Sequence, residues 1–253
     1  MSLSSSNTQP AVSASREQEI KEAELIFKDV WAKLETELGR EKLQFPREIF
    51  WLNGAPGSGK GTQTRFIMGL KGIKAEPVVI SDLLTSPEAK KLKDAGLMVG
   101  DREVIGIFFR RLLELGSAGS VIVDGFPRTP VQAECLRFFS AKLNELKSIY
   151  AGSSLESGFP GSVFHIVVLT VNEKISVERQ LSRGEKARAA AAASGEEIRA
   201  TDMDSGAALK RFKTFNELTC PALLSLKDVF HYHHIDAEGS IEGVQAQIIA
   251  EMN

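Results

Sequence analysis

The chain has 253 residues, 43% of them hydrophobic and 25% charged, with a formal net charge of −2. That composition suits one large domain with small insertions. It provides no chain-wide basic field for nucleic acid or anionic lipid, so an anionic ligand has to be met by local clusters of cations. Cys135 and Cys220 are too few for a disulfide framework or a zinc ligand set, and no run approaches the roughly 20 apolar residues of a membrane span; with neither a signal-peptide nor a transit-peptide pattern at the N-terminus, a cytoplasmic protein is expected.

Residues 1–15 are Ser-rich and uncharged and read as a disordered tail. From Arg16 to about Leu43, Ile20, Leu25, Phe27, Val30, Trp31, Leu34 and Leu38 recur near helical spacing among Glu and Lys. This marks a helical extension over 16–45, expected to pack on the main domain or to serve as an interaction element. After Pro46, five short apolar runs (48–53, 78–80, 120–123, 163–171 and 230–235) alternate with helical patterns at about 60–70, 82–95, 101–116, 129–147, 173–183, 205–228 and 240–252. Alternation of this kind predicts an α/β domain over 46–253, a five-stranded parallel doubly wound sheet. Two stretches interrupt it, about 81–101 and an Ala-rich segment at about 184–205; both are candidates for covering ligands at the carboxyl ends of the strands.

The first strand runs into Gly54-Ala55-Pro56-Gly57-Ser58-Gly59-Lys60-Gly61-Thr62, with a helical pattern after it. Glycines in that context let successive N–H groups face phosphate oxygens, the helix N-terminus adds its dipole, and Lys60 supplies a point charge. Gly61 stands where most phosphate loops have a hydroxyl that ligates Mg²⁺. The ion is therefore expected to be held by phosphates and water, with Asp124, at the end of the run 120–123, in its outer shell. The alternative for Asp124 is a cap on the next helix.

GAPGSGKGTQ at 54–63 and DGFPRTPVQ at 124–132, in that order, resemble adenylate kinases and related nucleoside monophosphate kinases. The resemblance implies a P-loop kinase fold with an acceptor-binding insertion and a lid. It also implies Mg-dependent, reversible phosphoryl transfer from ATP to a nucleoside monophosphate. It puts Gly57, Ser58, Gly59, Lys60, Gly61 and Thr62 around the ATP phosphates, Arg179 against the donor adenine, Arg183 on phosphate, and Gly239 in the donor site. The acceptor site would comprise Asp82, Leu97, Met98, Val99, Gly125, Phe126, Pro127, Arg128 and Gln132. Arg199 and Arg211 would be the lid-hinge pair touching the acceptor, with Asp202 and Asp204 between them. Gln132 matches the residue that reads the adenine of AMP, where pyrimidine-accepting relatives tend to have Asn.

Phosphoryl transfer to an anionic acceptor needs charge neutralisation and no general base, so Lys60, Arg128, Arg183, Arg199 and Arg211 are the expected catalytic set. His165, His231, His233 and His234 are read as structural. The chain departs from the family pattern at Ile80-Ser81-Asp82-Leu83-Leu84-Thr85, where Thr85 replaces an acceptor-binding Arg and Lys90, Lys91 and Arg102 are the substitutes at hand. The lid lacks the Cys quartet of zinc-bearing relatives, so no zinc is expected. Small-molecule nucleotides are the expected partners, and a monomer the expected state. A UMP/CMP kinase and a nucleotide-binding regulatory protein without transfer activity are the alternatives.

Overall fold

In a computed structural model of the protein, residues 9–95, 97–194 and 204–252 are described. The first half comprises α1 (Gln9–Leu38), β1 (Glu48–Gly54), α2 (Lys60–Lys71), β2 (Val78–Val79), α3 (Ile80–Leu83), α4 (Pro87–Asp94), α5 (Asp101–Glu114) and β3 (Ser120–Asp124). The second comprises α6 (Pro130–Tyr150), β4 (Val163–Thr170), α7 (Glu173–Ser194), α8 (Ser205–Thr214), α9 (Cys220–Leu224), β5 (His231–Asp236) and α10 (Ile241–Met252). All strands are parallel, in the order β2-β3-β1-β4-β5. The chain thus adopts the expected five-stranded α/β fold. Among the described residues no helix is long and apolar enough to cross a membrane.

β1 is the central strand and almost wholly buried, pairing Phe50 with Ile122 on one side and His165 on the other. Because side chains alternate across a strand, Phe50 and Trp51 face opposite layers. Phe50 stacks on His165 and lies under Lys71 of α2, and α10 packs on β5 and α2. Trp51 meets Phe108 of α5, Phe126 and Phe164, while Phe139 of α6 stacks on Phe109 and Phe164. Since the strand order diverges from β1 in both directions, the loop after β1 opens at a crevice outside the carboxyl ends of the strands.

α1 lies along α5 and α6. Its buried stripe is Ala23, Ile26, Phe27, Val30, Trp31 and Leu34, whereas Leu25, counted in the periodic set, is 68% exposed. Trp31 packs on Phe27, Phe45 and Phe139, and ion pairs Arg16–Glu134, Arg102–Asp29 and Arg110–Glu37 flank the seam. The helix begins at Gln9, inside the stretch read as a tail, because Pro10 is tolerated in a first turn and the following Ala and Ser residues propagate it. It ends at Leu38, short of Leu43, where Gly39 takes φ +80°.

Three further boundaries differ from expectation. The helix read at 82–95 is two helices, because Pro87 disfavours helical backbone at Ser86 and restarts the chain as the first residue of α4. The helix read at 205–228 is α8, a π turn at Phe215–Thr219 and α9; Cys220 N–H reaches back five residues to Phe215 O just ahead of Pro221, which has no N–H to give. α7 continues past Gly184 into the Ala-rich stretch as far as Ser194, as good helix formers allow. Residues 195–203 of the expected lid, including Arg199 and Asp202, lie outside the described residues.

Candidate phosphate-binding site

β1 ends in Asn53, a buried polar residue in an otherwise apolar strand. Its Nδ2 donates to Pro127 O at 2.6 Å and its Oδ1 accepts from Gly54 N–H at 2.8 Å, joining the phosphate loop to the turn after β3. The loop is pinned from the other side by α7: Ser176 Oγ donates to Pro56 O at 2.7 Å, and a Cβ at Gly57 would lie 2.8 Å from Ser176 O. Only glycine permits that approach. Ser58 is buried and its Oγ has no hydrogen-bond partner, a condition found where a ligand or water completes the bonding. Gly61 and Thr62 are exposed on the first turn of α2, which Gly59 caps.

Lys60 Nζ donates to Gly54 O at 2.8 Å and Ala55 O at 3.3 Å. Desolvation, then the cations Arg128, Arg211 and Arg183, push the Lys60 ammonium down to about 8, against the opposing pull of Asp124. Four segments therefore bring charge to bear on one ammonium: the end of β3, the turn after it, α7 and α8. These are residues that the sequence reading grouped on motif grounds.

The turn at 125–129 is shaped around Arg128. Gly125 has φ +86°, and a Cβ there would fall 2.5 Å from Arg128 Nη2. Arg128 Nε donates to Gly125 O at 2.7 Å, and Arg128 O accepts from Thr219 Oγ1 at 2.9 Å. Arg128 N–H donates to Gln132 Oε1 at 2.8 Å, while Gln132 Nε2 donates to Asp101 Oδ1 at 2.8 Å. Phe126, expected in the acceptor site, is fully buried between Trp51 and Phe108. In the turn after β3 its ring points to the α5 side of the sheet and completes the core. Pro127 is buried and contributes its carbonyl to Asn53.

The remaining expected positions are spread around this centre. Leu97 is half-exposed, Met98 partly covered and Val99 buried in the segment before α5. Asp82 is exposed and accepts from Ser81 Oγ at 3.0 Å. Arg179 donates to Ala237 O at 2.7 Å, Glu238 O at 3.0 Å and Gly239 O at 3.4 Å, so Arg179 and Gly239 share one corner beside Gly57. Asp204 caps α8 through Ala207 N–H. Arg102, a candidate substitute for the missing Arg at Thr85, is engaged by Asp29 of α1. The histidines lie on β4 and β5, with His165 Nδ1 and His233 Nε2 3.0 Å apart.

A family model for the AAA domain matches residues 53–199, more than half of the chain. The chain belongs to the AAA domain family. The matched stretch includes the phosphate loop, the Asp124–Gln132 turn and all of α7. An adenylate kinase of Citrifermentans bemidjiense is 28% identical over 224 residues, covering 79% of this chain and 96% of that protein. An adenylate kinase of Geobacter sp. strain M21 is 27% identical over the same length and shares. The resemblance to P-loop kinases of the adenylate kinase type is borne out by these matches.

Within this AAA-domain chain, sequence reasoning overlooked Asn53, Asp101, Thr129 and Ser176. Asn53 is marked in sequence only as the one polar residue in the run 48–53 after its first position; Asp101 reads as an ordinary acidic residue in a helix's first turn. Among the described residues no group of three or more His, Cys, Asp or Glu can hold a metal ion. Asp124, electrostatically coupled to Lys60, suits a hydrated divalent ion that arrives with a phosphate ligand, since such an ion needs few protein donors.

Proposed function

We propose that the protein catalyses reversible phosphoryl transfer from ATP to AMP, within a kinase domain spanning 46–253 that carries an acceptor-binding insertion at about 81–101 and a lid at about 184–205. The observation that carries this reading is the joint electrostatic action of Asp124, Arg128, Arg183 and Arg211 on Lys60 beside the phosphate loop. A site that only held a nucleotide would have little use for cations from so many segments; a loose phosphoryl-transfer transition state, with charge spread over its oxygens, needs them.

On this reading the N–H groups of 57–62 hold the donor phosphates, and Lys60 leaves the carbonyls of Gly54 and Ala55 for the outer phosphate oxygens. Arg128 holds the acceptor phosphate, and Arg183 and Arg211, joined by Arg199, neutralise the group in flight. Arg179 lies along the donor base with Gly239. Asp124 would hold, through water, the Mg²⁺ that accompanies ATP and offsets charge on its phosphates. No proton has to be removed from the acceptor, because a nucleoside monophosphate is already anionic near pH 7.

Gln132 supports AMP as the acceptor, and the 28% and 27% identical relatives are themselves named adenylate kinases. An assay of ADP formation from ATP and Mg²⁺ with AMP, CMP, UMP or GMP tests the proposal. AMP is expected to be the best acceptor by at least about tenfold, since a site that hydrogen-bonds one base leaves polar groups unpaired with another. Preference for CMP or UMP would refute the acceptor, and no transfer to any of the four would refute the reaction.

A further inference from the structure

The amide of Gln132 is buried and held at both ends. Its Oε1 accepts from Arg128 N–H at 2.8 Å, and its Nε2 donates to Asp101 Oδ1 at 2.8 Å. Thr129 closes the network, its Oγ1 accepting from Gln132 N–H at 3.1 Å and donating to the same Asp101 Oδ1 at 2.9 Å. Reversing the amide would face Nε2 to the Arg128 N–H, donor against donor, and Oε1 to the carboxylate, acceptor against acceptor. Two bonds would be lost and two repulsions made, so only one orientation is stable.

That orientation has a chemical consequence. An amide has two N–H donors and two lone pairs on oxygen, so one of each remains after these bonds, on fixed sides of the group. Adenine presents an N6–H donor beside the N1 acceptor, and guanine an O6 acceptor beside an N1–H donor. An amide that reads one edge must turn over to read the other in the same place.

We propose that Asp101 is a positioning residue: by fixing the Gln132 amide it sets the preference for adenine over guanine at the acceptor site. This rests on the reading of Gln132 as the residue that meets the acceptor base. Asp101 touches neither phosphate nor base; it acts through Gln132, from the first turn of α5.

Steady-state kinetics with AMP and with GMP, measured on the full chain and its D101A, D101N, Q132A and D101A/Q132A variants, test the proposal. D101A is expected to raise KM for AMP about tenfold, to leave kcat within about threefold and KM for ATP unchanged, and to narrow the AMP-to-GMP ratio of kcat/KM about tenfold. D101N keeps an acceptor oxygen where both donors converge and is expected to stay within about threefold of the parent protein. The double variant is expected to be no worse than Q132A, since both changes remove one device. If Q132A raises KM for AMP and D101A does not, the positioning role is overturned while the reading of Gln132 stands. A D101A variant that impairs ATP and AMP alike, or a D101N variant as impaired as D101A, also overturns it. If Q132A leaves KM for AMP unchanged, the base-reading role falls and the proposal with it.

Discussion

Lys60 is bonded to the carbonyls of its own loop, with its ammonium pushed down to about 8 by desolvation and by three arginines. The shift is a penalty on the folded state that applies in full below pH 8. It is relieved as pH rises from about 8 towards 10.5, because in that window the unfolded chain holds the proton and the folded chain does not. A bound anionic phosphate acts in the opposite direction and draws the proton back. ATP binding should therefore take up roughly 0.7 proton at pH 8.5 and about 0.1 near pH 7. Titration calorimetry in buffers of different ionisation enthalpy reads this directly; heats independent of buffer at pH 8.5 would contradict it. Residues such as Lys60, Asp124 and Arg128 were legible in the sequence because a local motif carries them. Asn53 was not, because its partner Pro127 lies 74 residues away, and a polar side chain's meaning depends on what the fold brings opposite. The burial of the Phe126 ring was not legible for a related reason: a motif names neighbours in sequence, while the turn sends this ring to the core.

The elements show what the strands' continuous apolar runs reveal and what they conceal. Buried parallel strands announce themselves by composition, and each strand falls within a residue or two of its run. Helix boundaries depend on one or two residues, such as Gly39, Pro87 and Pro221, whose effects decide where hydrogen bonding stops. α1 lies outside the length of sequence that the motifs cover, yet Trp31 is 5% exposed and packs on Phe45 and Phe139. That makes the extension part of the core. W31A should cost about 3 to 5 kcal/mol, and in a chain of this size lower Tm by roughly 10 °C; a loss under ~2 °C in a thermal melt would mean that α1 is only loosely attached. The histidine cluster of β4 and β5 gives a second test at this scale. Desolvation lowers His165 against the pull of Glu48, with His233, His231 and Lys71 adding to it; His233 is lowered in the same way, against Glu251. Groups depressed in the fold contribute stability above their unfolded value near 6.5 that is lost as pH falls through the folded value. The Tm of the wild-type chain should therefore drop more steeply between pH 7 and 5 than that of H165Q/H233Q, and equal slopes would contradict the assignment.

At the scale of the whole molecule, the sheet gathers charge from distant parts of the chain to the mouth of one loop. Asp124 and Arg128 come from the end of β3 and its turn, Arg183 from α7 and Arg211 from α8, and all act on Lys60. Gln180 ties the last two elements together, its Nε2 donating to Ser176 Oγ and Ala208 O, each at 3.2 Å. Hydrogen bonds from α7 to the phosphate loop and to α8 thus hold these elements beside Lys60. The most direct test is the rate of ADP formation from ATP, Mg²⁺ and AMP in R128A and R183A, with circular dichroism to follow the fold. Rates are expected to be lower by about 10³-fold or more, on the scale of arginines that stabilise phosphoryl transfer, with spectra unchanged. Near-normal turnover in either variant would contradict this expectation.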